Sequence, residues 1–174
     1  MRGAAAVVVA LAVLVSGTAV AEPSADNDPN DTRGPLDIRR IERTSGTKYP
    51  RFYVKTYGAW SKRRIRDRGF VVVYVDSFGD RHFDYYALVR SDGRALRAAL
   101  YRNRKQSRDY RIKSIPAAHP GRRAARVTIP FKALRKRETF FRWRVQTLWS
   151  GRGCPRVCFD RSPATEGVRD PFGR

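Results

Sequence analysis

Apolar and polar residues alternate along much of this chain in short runs, the spacing of β-strands, whose successive side chains point to opposite faces. From Leu36 onward eight such runs follow one another, at residues 36–43, 51–57, 69–76, 81–90, 94–102, 109–115, 124–130 and 139–149. Turn-forming residues part them, as in Ser45-Gly46-Thr47, Ser91-Asp92-Gly93 and the stretches 103–107 and 116–121. Regular strands with such breaks predict an all-β chain: a single antiparallel β-sandwich of about eight strands, jelly-roll-like, with one short helix.

The stretch RGFVVVYVDSFGDRHFDYYALV, residues 68–89, organises the rest. Residues 70–75 are valine-rich and aromatic, too short and too β-branched for a helix. Ser77-Phe78-Gly79-Asp80 supplies a turn. Phe83, Tyr85, Ala87 and Val89 then alternate with His82, Asp84, Tyr86 and Leu88, which predicts an antiparallel hairpin. Its first strand is apolar on both faces and lacks proline, so the hairpin belongs in the centre of a sheet. FKALRKR, residues 131–137, follows Pro130 and predicts the one short surface helix. Residues 94–101 have helix-forming Ala and Leu, yet Leu96, Ala98 and Leu100 alternate with their neighbours and predict a strand.

The N-terminus has a different pattern. Met1-Arg2 precedes an apolar run to Val15, and Ala19-Val20-Ala21 has the small-x-small form of a signal-peptidase site. That run is shorter than the roughly 20 residues a bilayer span needs, so residues 1–21 read as a secretory signal peptide. Residues 22–34, with two prolines and no apolar period, read as a polar linker. Residues 35–174 are left as one β-sandwich domain with no later segment apolar enough to span a membrane.

Charge changes the picture next. The chain carries 37 Lys and Arg against 16 Asp and Glu, a net +21. A secreted protein this basic is expected to associate with anionic cell-wall or extracellular polymers, the bland alternative being that the charge serves solubility. The strand pattern offers a surface for such partners. Arg142 and Arg144 oppose Phe141 and Trp143, Arg126 opposes Val127, and Arg111 and Lys113 alternate with Tyr110 and Ile112. If these strands share a sheet, its solvent face is a row of cations, flanked by Arg122-Arg123 and Arg135-Lys136-Arg137. Tyr49, Tyr53, Tyr57 and Trp60 form a second group, aromatics of the kind that stack on sugar rings.

Cys154 and Cys158, in CPRVC, suit a local disulfide in an exported chain; the C-x3-C spacing is not the redox C-x-x-C motif. The acids gather in DNDPNDTRGPLD, and Asp160 follows the cysteine pair. Hard oxygen ligands on loops are what Ca²⁺ takes, so Asp28, Asp31, Asp37 and Asp160 are the candidate ligands of a structural calcium. The alternatives are a solvated acidic arm and Asp–Arg pairing with the basic body. Asp76 and Asp84 flank the hairpin, where carboxylates either cap its turn or pair with Arg81. Catalysis finds little support: two histidines in unrelated contexts, no nucleophile elbow and no paired Glu.

The strings DPNDTRGPLDI, VVVYVD, VTIP before the short helix and C-x3-CFDRSP resemble small uncharacterised secreted bacterial β-sandwich proteins. Those are similar in layout to family 9 carbohydrate-binding modules and DOMON domains. The resemblance spans about residues 28–171. It implies a sandwich of eight to ten strands, in some members holding Ca²⁺ or sugar. Haem-binding DOMON domains use Met or His ligands; the one Met here lies in the signal, so haem is not carried over. The combined expectation is a non-catalytic secreted or cell-wall-associated module with a basic face for anionic polymers. The alternatives are a carbohydrate-binding module using aromatic stacking and a secreted hydrolase relying on Asp residues.

Overall fold

The computed structural model describes residues 24–44, 49–164 and 167–172. The predicted signal peptide and the Ser45-Gly46-Thr47 turn lie outside the described residues. All eight predicted strands form, as β2 (Ile38–Thr44), β3 (Arg51–Thr56), β4 (Gly69–Asp76), β5 (Tyr85–Ser91), β6 (Leu96–Arg102), β7 (Tyr110–Ile115), β9 (Ala124–Thr128) and β10 (Phe140–Trp149). Four short strands join them: β1 (Ser24–Asn27), β8 (Ala117–Ala118), β11 (Cys158–Ser162) and β12 (Val168–Pro171).

The strands make two antiparallel sheets. One has five strands in the order β1-β2-β3-β9-β8. The other has seven, β11-β10-β4-β5-β6-β7, with β12 pairing along β10 beyond β11. The valine-rich β4 does lie centrally, between β10 and β5, which explains why both its faces are apolar. Val71, Val73 and Val75 of β4, Ala87 and Val89 of β5, Leu100 of β6 and Trp143 and Val145 of β10 face the core. Ile38, Ile41, Phe52, Val54 and Val127 meet them from the five-stranded sheet. Phe52 sets its ring edge-on to Trp143 at 5.5 Å, so the two sheets interlock at their largest side chains. The sheets remain separate, a sandwich and not a barrel.

An ion pair also lies within this core. Arg43 of β2 is 1% exposed, and its Nε donates to Asp170 Oδ2 of β12 at 2.6 Å. The same oxygen accepts from the indole N–H of fully buried Trp143. A buried ion pair therefore joins the two sheets where β12 ends.

Several elements differ from the sequence reading. β1 is an edge strand within the stretch read as linker, pairing Ser24–Asn27 with Arg40 to Arg43 of β2; a four-residue polar edge strand has no apolar signature. The run 131–137 gives only a 3₁₀ turn, Phe131–Ala133, because Pro130 offers no side-chain cap and so short a segment cannot repay helix nucleation. The only α-helix of the described residues is instead α1 (Lys62–Ile65), one turn whose Arg64 N–H donates to Ser61 Oγ at 3.1 Å. β5 starts at Tyr85, four residues later than the alternation suggested. Asp76 accepts the backbone N–H groups of Phe78, Gly79 and Arg81, and Asp84 those of Ser77 and Phe78. These two carboxylates turn residues 77–84 into a wrapped loop and take it out of the ladder.

Candidate functional site

Four carboxylates from three separate stretches meet at one side of the sandwich. Asp28 leaves β1, Asp31 and Asp37 lie on the connection into β2, and Asp160 comes from β11; each offers an oxygen within 4.8 Å of the others. The backbone builds this meeting. Thr147 of β10 donates its hydroxyl to the Leu36 carbonyl at 2.7 Å, and Asp160 Oδ2 accepts the Ile38 N–H at 2.5 Å. Tyr57 Oη donates to the Asp28 carbonyl at 2.8 Å, fixing the far end of the connection. Gly34 makes the bend between Asp31 and Asp37 possible: its φ is +107°, and a Cβ there would lie 2.5 Å from Trp149 Cδ1.

The electrostatics of the group are one-sided. Asp37 and Asp160 are buried, Asp28 is half-buried and Asp31 is exposed. Among the described residues no Lys or Arg pairs with any of the four, although the chain carries 37 such cations. Burial, then the neighbouring Asp160 carboxylate, pushes Asp28 up to about 7 and Asp37 up to about 6. These are the four residues the sequence pattern named as calcium ligands, and the fold brings them together.

A second trio, Asp76, Asp80 and Asp84, is equally compact but already occupied. Beyond the backbone donors described above, Arg102 pairs with Asp84 at 3.3 Å and Lys105 with Asp80 at 3.1 Å. It is the anchor of a loop.

The five predicted polymer-binding cations separate. Arg126 lies on β9 in the other sheet, its guanidinium 5.8 Å from the Tyr53 ring, so the supposition that all these strands share a sheet is corrected. Strand alternation reports which face a residue takes, not which sheet. A register shift between Leu100 and Tyr101 sets Lys113 opposite inward-facing Leu100 and Arg111 opposite outward-facing Tyr101. Arg111, Arg142 and Arg144 remain on the outer face of the seven-stranded sheet.

That face carries a row the sequence reading missed. In register across β10, β4, β5, β6 and β7 stand Arg144, Tyr74, Tyr86, Tyr101 and Arg111. Tyr86 and Tyr101 are stacked at 5.0 Å and 6°, and Tyr74 lies 6.1 Å from Tyr86. Phe83 folds back from the wrapped loop, so Arg144 sits 4.6 Å from its ring and 6.0 Å from that of Tyr74. Burial there, together with the Arg161 cation, lowers the Arg144 pKa from its ordinary value. Burial and the nearby Asp109 carboxylate push Tyr86 up to about 12, so its hydroxyl keeps its proton near neutral pH. Beside it, small Ala99 leaves a depression of about 700 Å³, bounded by Tyr101 and Arg111 on one side and Arg90 and Arg97 on the other. Strand pairing, absent from a sequence, was the missing signal.

The exposed aromatic group read from Tyr49 to Trp60 does not hold together as a platform. Tyr49 is 44% exposed, but Trp60 is buried and stacked on His119 at 3.8 Å. The Cys154–Cys158 disulfide forms, with Cα atoms 5.6 Å apart, and fixes the loop ahead of β11. No helix among the described residues is long and apolar enough to cross a membrane. Compared with known proteins, the chain matches no family model, no curated protein and no solved structure.

Proposed function

We propose that this is a secreted, non-catalytic binding module that holds an anionic cell-wall or extracellular polymer on the outer face of its seven-stranded sheet. The observation that carries the reading is the cross-strand row of three tyrosines ended by Arg144 and Arg111. Aromatic faces accept the apolar faces of sugar rings, and guanidinium forks accept carboxylate, phosphate or sulfate in two-point contacts. An acidic polysaccharide offers both. The depression beside the row and its bordering Arg90 and Arg97 give a chain room to lie along the sheet. Export is supported by the N-terminal signal pattern and by the disulfide.

The test is retention of the purified mature protein on isolated cell-wall material across a salt series. Retention should fall steeply with salt, and Arg144→Gln with Arg111→Gln should weaken it and flatten the salt slope. Tyr86→Ala should weaken it without changing that slope. Salt-insensitive retention that needs only the tyrosines would favour a neutral glycan, the reading that aromatic stacking alone supports. No retention at low salt would refute both.

A further inference from the structure

We propose that Asp28, Asp31, Asp37 and Asp160 form a binding site for one calcium ion, and that the ion clamps the two sheets together at the edge where β1 and β11 meet. Two independent observations carry this. The first is the convergence of four carboxylates within 4.8 Å, with no cation of the described protein paired to any of them. The second is Asp37, which is 2% exposed and whose Oδ1 has no hydrogen-bond partner among the described residues. Thr32's backbone N–H approaches this carboxyl group, but Oδ1 is left without a donor. A buried carboxylate oxygen with nothing to accept from costs free energy that a bound cation removes.

The chemistry selects the class of ion. Calcium takes six to eight oxygen ligands in irregular geometry, whereas magnesium keeps a tight octahedron and holds its water. The donor set is all carboxylate oxygen, with no His or Cys in the group, which disfavours zinc and copper. The contrast with Asp76, Asp80 and Asp84 is informative, because there backbone N–H groups and two cations already fill the oxygens. Position gives the ion its role. Asp28 and Asp37 bracket the connection from β1 to β2 of the five-stranded sheet, while Asp160 belongs to β11 of the seven-stranded sheet.

The test uses the purified mature chain, stripped with EGTA and titrated with CaCl₂ or MgCl₂ at pH 8 by calorimetry and thermal unfolding. Calcium should bind saturably, at one site, with a Kd in the ~0.1–1 mM range common to extracellular modules. At a hundredfold excess over Kd the unfolding equilibrium should shift about 100-fold towards the folded state. Asp37→Asn should abolish both the heat and the thermal shift, while the calcium-free variant unfolds no earlier than calcium-free wild type, since it removes uncompensated charge. Asp31→Asn, at an exposed position that cannot break the core, should weaken binding at least tenfold. Absence of saturable calcium binding in the wild type, binding undiminished in both variants, or magnesium binding as tightly as calcium would overturn the proposal.

Discussion

Removing the charge of Asp170 is expected to be the most damaging single-atom change in the core. Asp170→Asn preserves shape but leaves the Arg43 guanidinium, 1% exposed and 5.5 Å from the Phe141 ring, facing an amide. It also weakens the acceptor of the Trp143 indole N–H, which is fully buried. Breaking one side of a buried ion pair costs about 3–5 kcal/mol, because the remaining charge is stranded in a low-dielectric interior. For a domain of this size each kcal/mol moves Tm by about 2–4 °C, so Tm should fall by roughly 6–20 °C. Thermal and urea unfolding, followed by near-ultraviolet circular dichroism of the tryptophans, would measure it. The companion is Arg43→Met with Asp170→Leu, which replaces the pair by apolar side chains of similar volume and should recover most of the loss. A cost below about 1 kcal/mol for Asp170→Asn, or a double variant no better than the single one, would refute the view that Arg43 depends on this carboxylate.

Two further outcomes follow from the carboxylate cluster and its bend. Asp28 and Asp37 hold protons more tightly in the folded protein than at their ordinary value of 3.8. Their contribution to stability is therefore complete below about pH 4 and lost as pH rises through about 6 and 7. In EGTA, urea midpoints should fall between pH 5 and pH 8, and Asp28→Asn with Asp37→Asn should flatten that slope; an unchanged slope would contradict the assignment. Gly34→Ala must hold alanine at φ +107° with its Cβ 2.5 Å from Trp149 Cδ1, so it should destabilise by about 1–3 kcal/mol in urea titrations, and a neutral result would show that the connection re-forms freely.

How far the sequence reached depends on what each residue reports. Period-two alternation placed eight strands because burial on one face is written into every second residue, as the core positions Val71, Val73 and Val75 show. It missed β1, β8, β11 and β12, which have two to five residues, too few for an apolar period to show. The hairpin turn ran long because Asp76 and Asp84 divert backbone N–H groups from the ladder, a competition that propensity does not reveal. The acidic site was legible through scarcity: acids are few in this chain, so their grouping stood out. The tyrosine row was illegible because Tyr74, Tyr86 and Tyr101 become neighbours only through the registers of three strands. Nothing in the sequence marks Arg43 as a core residue, since it is the acceptor Asp170 on a distant strand that lets its charge reside there.

β7 closes one side of the seven-stranded sheet, and no further strand of the described residues pairs with its outer edge. Open edges of this kind recruit strands from other molecules, and charged side chains are a common guard against it. Arg111 and Lys113, both exposed on β7, are that guard, since two copies approaching edge to edge bring like charges together. A polyanion that neutralised them would remove the repulsion while gathering many copies on one scaffold. If a polyanion is the ligand, the side chains that attract it are the same two that keep β7 edges apart, so dense coating of the polymer would promote ordered strand pairing between copies along it.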